Sequence, residues 1–120
     1  MSIKIIGIPQ ALTFLKMKDK EAISRANDAI HQAGFFVEGE VKESIRGARA
    51  EPQSVDTGRF LQSVKTQNGK LSSVVSSDVE YAKYLEYGTS RVSARHHFGN
   101  TKTRNKKKVT DLVNDSMKKL

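Results

Sequence analysis

The chain of 120 residues contains no cysteine. That absence excludes a disulfide framework, a thiolate metal site and a cysteine nucleophile. Small secreted domains usually carry such staples, so a reducing cytoplasm is the default expectation. Long apolar runs are missing too. No window approaches the ~20 apolar residues needed to cross a bilayer. The stretch from Met1 to Ile8 is too short for the hydrophobic core of a signal peptide. A soluble protein is expected. Hydrophobic residues make up only 37% of the chain. At this length they suffice for one modest core, so a single domain over residues 1–120 is expected.

Catalytic patterns are equally scarce. The histidines are His31, His96 and His97. His31 falls on a helical stretch and reads as a surface residue. His96 and His97 are adjacent, and in a strand they point to opposite faces. A zinc site needs a third or fourth ligand, and no such spacing occurs. Glu40-x-Lys42 is similar to the acidic-x-Lys element of some nucleases, but that element needs a strand. On a helix, residues two apart point roughly 200° apart. No G-x-S-x-G turn exists, and Gly88-Thr89-Ser90 lacks the spaced glycines and the Lys of a phosphate loop. A hydrolase would have to draw on Asp56, Glu86 or His97. Neither an enzyme nor any cofactor or metal is expected.

Charge is present in quantity. Lys and Arg number 21 against 13 Asp and Glu, a formal net charge of +8. The excess suits a polyanionic neighbour, or simply a soluble basic surface. Lys102, Arg104, Lys106, Lys107 and Lys108 lie close together. They suit contact with DNA phosphates or an acidic partner, or the solvated start of a last helix. No recognition helix, RNA-binding aromatic strand or zinc finger accompanies them.

Periodicity sets the fold expectation. Ser2–Ile8 is rich in β-branched residues and ends near Pro9, which predicts a short strand. Residues 10–18 are ambiguous, with one or two helical turns. From Lys20 to Arg46, Ile23, Ala26, Ile30, Ala33, Val37, Val41 and Ile45 recur every three or four positions, the stripe of an amphipathic helix. Gly34 and Gly39 interrupt it, and Gly47 is the expected C-cap. Phe60–Gln67 and Leu71–Ser77 read as strands around Asn68-Gly69, a strong hairpin signal. Asp78–Tyr87 reads as a short helix capped by Asp78. Arg91–Phe98 reads as loop or strand. Val109, Leu112, Val113 and Met117 give a last amphipathic helix. The expected class is α+β: a long N-terminal helix on a small antiparallel sheet, with a C-terminal helix.

Two segments are too organised for packing alone. In Val55–Leu61, Asp56 and Thr57 before Gly58 suit a tight turn whose side chains bond nearby backbone while Gly takes positive φ; Arg59 then enters the hairpin. In Tyr81–Phe98, all three tyrosines fall within seven residues. Clustered Tyr and Arg typify interfaces, yet the same aromatics also suit a small core. The residues alone leave both readings open.

In order and motif, these segments resemble the small tail-component proteins of tailed bacteriophages: neck, tail-completion or head–tail joining proteins. The matching stretches are Val55–Leu61, Tyr81–Thr89 and Ala94–Phe98, within a resemblance running from about Ser2 to Leu120. The chain departs from the family pattern at His96 and His97, and Gly99-Asn100 replaces a more apolar continuation. The resemblance implies a virion protein without a reaction of its own, held in the host cytoplasm before assembly. It implies a ring at the head–tail interface around the DNA channel, contacting connector or tail proteins. Asp56, Thr57, Gly58, Arg59, Tyr81, Ala82, Leu85, Gly88, Thr89 and Phe98 then serve turn and packing. Tyr84, Glu86, Arg91 and Arg95 become candidates for touching a neighbouring subunit. The alternative is a small basic nucleic-acid-binding protein without catalytic activity.

Overall fold

A computed structural model describes residues 2–6, 20–55 and 58–118, with side chains for 23–55 and 58–115. Strand β1 (Ser2–Ile6) is followed by the long helix α1 (Lys20–Arg46) and a short helix α2 (Arg59–Ser63). The hairpin strands β2 (Lys65–Gly69) and β3 (Ser72–Ser76) come next. Helices α3 (Ala82–Tyr87) and α4 (His97–Lys118) complete the order. The sheet is antiparallel in the order β1-β3-β2, with Ile3 opposite Val75 and Thr66 opposite Val75 on the other side. The architecture is α+β: a long helix, a small antiparallel sheet and a C-terminal helix.

The stripe on α1 is the spine of the core. Ala26, Ile30, Ala33, Val37, Val41 and Ile45 are all buried. Phe60, Val64, Val75, Val79, Ala82 and Phe98 close over its C-terminal half. Val113 of α4 packs with Ile30 and Ala33 further along. The helix ends where expected. The N–H of Gly47 donates to Ser44 O at 3.1 Å and that of Ala48 to Glu43 O at 3.0 Å, the paired bonds that close a helix through a left-handed residue. Gly34 interrupts the helical pattern for a tertiary reason. A methyl group there would collide with the Ser73 hydroxyl of β3, so the sheet can lie close on α1 only if the position is bare.

Several local expectations are corrected. Phe60 does not begin a strand: it lies in α2, and β2 starts only at Lys65. Gly58 enters α2 in a left-handed conformation, and Phe60 turns into the core instead of pairing. The hairpin exists, but its turn is Lys70-Leu71, and Asn68-Gly69 ends β2. Leu71 carries the positive φ, 53°, that the turn needs. The long helix overrides the local signal there. Asn27 Oδ1 accepts the Leu71 N–H at 2.5 Å, and His31 Nε2 donates to Gly69 O at 2.8 Å. Asp78 does not cap α3; Tyr81 stands at that position without a side-chain bond. The last helix starts at His97 and absorbs the basic segment. Strand pairing is described to Ile6 only. The readings for residues 7–18, Asp56, Thr57 and the Met117 side chain lie outside the described residues.

Candidate functional site

The Tyr81–Phe98 stretch is a helix, a doubled-back loop and the start of another helix. Gly88 makes the reversal possible. Its φ is 79°, and a side chain there would press on the backbone of Val92 and Ala94. Thr89 closes the loop: its N–H donates to Val92 O at 2.7 Å, and its hydroxyl accepts the N–H groups of Arg91 and Val92 at 3.1 Å each. The returning chain is tied to α3 by the Arg95 N–H on Leu85 O at 2.8 Å. Glu86 completes the joint. It is 5% exposed, and its carboxylate accepts the N–H groups of Phe98 at 2.9 Å and Gly99 at 2.8 Å. These are first-turn donors of α4 that no helical carbonyl can satisfy, and a negative charge suits that helix end. Glu86, a candidate for contact with a neighbour, is instead turned inward.

Beneath this joint runs a buried polar chain. Ser44 of α1 donates to Glu51 Oε1 at 2.6 Å, and its Oγ lies 2.8 Å from His97 Nδ1. A carboxylate only accepts, so the Ser44 proton is committed to Glu51 and His97 Nδ1 must donate. Nε2 is then the acceptor, and Ser54 Oγ, 2.7 Å away, donates to it. Arg95 Nη1 donates to Ser54 Oγ at 2.7 Å and to Gln53 O at 2.9 Å. At the far end, Arg104 grips both oxygens of Glu51 at 3.0 and 3.1 Å, and Asn100 adds a bond at 3.2 Å. His97 is fully enclosed. Burial pushes its pKa down, which agrees with the neutral tautomer; nearby Glu86 and Glu51 oppose that shift. Burial would raise the Glu51 pKa, but the bonds from Arg104, Ser44 and Asn100 prevail and hold it at about 2.

A hydroxyl, an imidazole and a carboxylate in series have the ingredients of a nucleophilic relay. Here a second hydroxyl separates the imidazole from the acid, and every proton is already placed. The arrangement fastens the start of α4 to α1 and to the loop after it.

The remaining site candidates separate. Ala82 and Phe98 are core residues, and Tyr81 packs edge-on against Phe60 at 6.1 Å. The Arg59 guanidinium lies 5.8 Å from the Tyr81 ring and 3.8 Å from Glu80. Arg104 leaves the basic cluster for Glu51, and Lys108 lies over the Phe36 ring at 5.0 Å. Lys102, Lys106 and Lys107 stay exposed. Tyr84 and Tyr87, one helical turn apart, are 49% and 66% exposed, and Val92 beyond them is exposed as well. Tyr87 and Val92 were not singled out by sequence. The three-residue spacing of Tyr81, Tyr84 and Tyr87 was the signal for Tyr87: each step turns the helix back by about 60°, so the face that packs at Tyr81 has left the core by Tyr87. Phe35 on α1 is a further exposed aromatic.

Beside the joint lies a cavity of about 610 Å³, walled by Ser54, Val55, Phe60, Tyr81, Leu85 and Arg95 among others. Among the described residues, no helix is long and apolar enough to cross a membrane.

The described residues form a small α+β scaffold whose motif residues build a helix-to-helix joint and leave two tyrosines exposed. The model of the family described as "Bacteriophage HK97-gp10, putative tail-component" matches residues 12–88, and the chain belongs to that family. It is thus a phage tail component with a structural role, placed in the virion among other phage structural proteins. The match ends at Gly88, so the Ala94–Phe98 part of the resemblance and all of α4 lie beyond it. No curated protein and no solved structure matches the chain.

Proposed function

We propose that this tail component completes the head–tail interface as one subunit of a homo-oligomeric ring around the DNA channel, acting as a single domain without catalysis. The observation that carries the reading is the pair of exposed tyrosines on α3, Tyr84 with the Lys83 ammonium 5.1 Å from its ring, next to Arg91 and Val92, in a member of a tail-component family. Large apolar side chains held outward on a rigid, tied-down joint suit a protein partner. A closed ring needs two different faces per subunit. The tyrosine face supplies one, and Phe35 with the outer surface of α1 is a candidate for the other. Exposed Lys102, Lys106 and Lys107 would meet passing DNA without reading its sequence.

The test replaces Tyr84 and Tyr87 together by Ser. Both are exposed, so thermal stability should change little, by about 0.5 kcal/mol or less per site. Oligomer formation, measured by sedimentation, and incorporation into virions should both be lost. A variant that still assembles and enters virions like the parent would sink the reading. The exposed lysines also favour a second reading, a plain nucleic-acid-binding protein. It predicts monomers that bind DNA and no place in a ring.

A further inference from the structure

Arg95 is a partly buried charge bonded through one nitrogen only. One nitrogen, Nη1, is fixed by Gln53 O and Ser54 Oγ at 2.9 and 2.7 Å. A guanidinium has five N–H donors. The three on Nε and Nη2 have no partner among the described residues, and no described carboxylate lies within ion-pair reach of them. Arg104 is spent on Glu51, Arg49 on Glu40 at 2.6 Å, and Arg59, in the same cavity wall, lies 3.8 Å from Glu80. Arg95 is held still by neutral acceptors, and it lines the 610 Å³ cavity. Ser54 is also in the wall, but its proton goes to His97 and its oxygen to Arg95, so it has nothing left to donate. The apolar part of the lining is Val55, Phe60 and Leu85. A cavity of this size accommodates a side chain or two rather than a polymer backbone.

We propose that this cavity is a docking site for an acidic segment of another tail protein, one Glu or Asp carboxylate on Arg95 with an adjacent aliphatic side chain against Val55, Phe60 and Leu85. This deepens the assembly reading by naming the chemistry of a partner. Charge decides the occupant. A chain of net charge +8 draws an acidic partner, and a carboxylate complements the guanidinium at this site. Nucleic acid fits less well, because a phosphate backbone gains nothing from the apolar wall and the cluster of Lys102, Lys106 and Lys107 lies on α4 instead. The arginine needs no reordering, so a planar carboxylate meets a fork already in place.

The experiment titrates the full chain with acetyl-Leu-Glu-amide, acetyl-Leu-Gln-amide and inorganic phosphate, following the amide resonances of Gln53, Ser54 and Arg95 by NMR. Saturable shifts are expected with the Glu peptide, at least tenfold weaker binding of the Gln peptide, and no saturation with phosphate. Arg95→Gln should weaken Glu-peptide binding at least tenfold. Val55→Phe, which fills the cavity and leaves the Arg95 bonds alone, should abolish it without lowering the thermal midpoint. Equal binding of the Gln peptide would leave only an apolar pocket and overturn the proposal. Equal saturation by phosphate, or no shift at all, would do the same. Failure here together with normal ring formation would leave the assembly reading intact; failure of the tyrosine test alone would not touch this one.

Discussion

At the scale of single residues, two groups of the buried polar chain, Glu51 and His97, resist protonation. Glu51 is held at about 2 against an ordinary 4.5, so its bonds stabilise the fold fully above 4.5 and are lost as pH falls toward 2. His97 is depressed below 6.5 by burial, so it also favours the fold above 6.5, and that contribution erodes as pH drops. Both act in the same direction. The thermal midpoint should be flat above neutrality, begin to fall below about 6.5 and fall again below about 4.5. Glu51→Gln should remove the lower step and lower the plateau by about 1–3 kcal/mol, less than for a wholly buried pair because Arg104 is partly exposed. Calorimetry across pH checks both. None of this was legible in the sequence. Ser44, Glu51 and Ser54 stand in or near a loop and carry no motif, and His97 was read as lying in a loop or strand. The sequence distance from Ser44 to His97 hides the contact.

At the scale of elements, the long helix was readable because one stripe had one period, and a helix that buries a stripe must present it at that period. The hairpin was readable in existence but displaced by two residues at its turn. Asn68-Gly69 has the better local propensity, yet Asn27 and His31 on α1 hold the tip and outweigh it. The α2 turn was missed because FLQSV reads equally well in either period. Gly34 shows the reverse case: a residue that weakened the helix reading is what lets sheet and helix meet. Gly34→Ala should favour an isolated helix by up to ~1 kcal/mol. In the protein it should instead destabilise by about 1–3 kcal/mol, because the overlap with Ser73 forces the layers apart. Chemical denaturation of the variant distinguishes the two signs.

At the scale of the whole molecule, the basic cluster divides once folded. Arg104 and Lys108 serve the protein itself, which leaves Lys102, Lys106 and Lys107 for solvent. Replacing those three by Glu should weaken non-specific DNA binding across all sequences. The salt dependence, log K against log salt, should flatten by roughly 0.9 for each lysine lost. Filter binding at several salt concentrations measures it, and an unchanged slope would remove DNA from the account. The joint at Glu86 has a consequence of another kind. An oily seam between helices tolerates slippage, whereas donors and acceptors matched one to one do not. Sliding α4 by a single turn, about 5.4 Å, would leave Glu86, His97 and Arg104 all without their partners at once. The helix is therefore indexed, like a key with one seating depth. In the ring proposed for this subunit, such a key would keep small errors of placement from accumulating from one copy to the next.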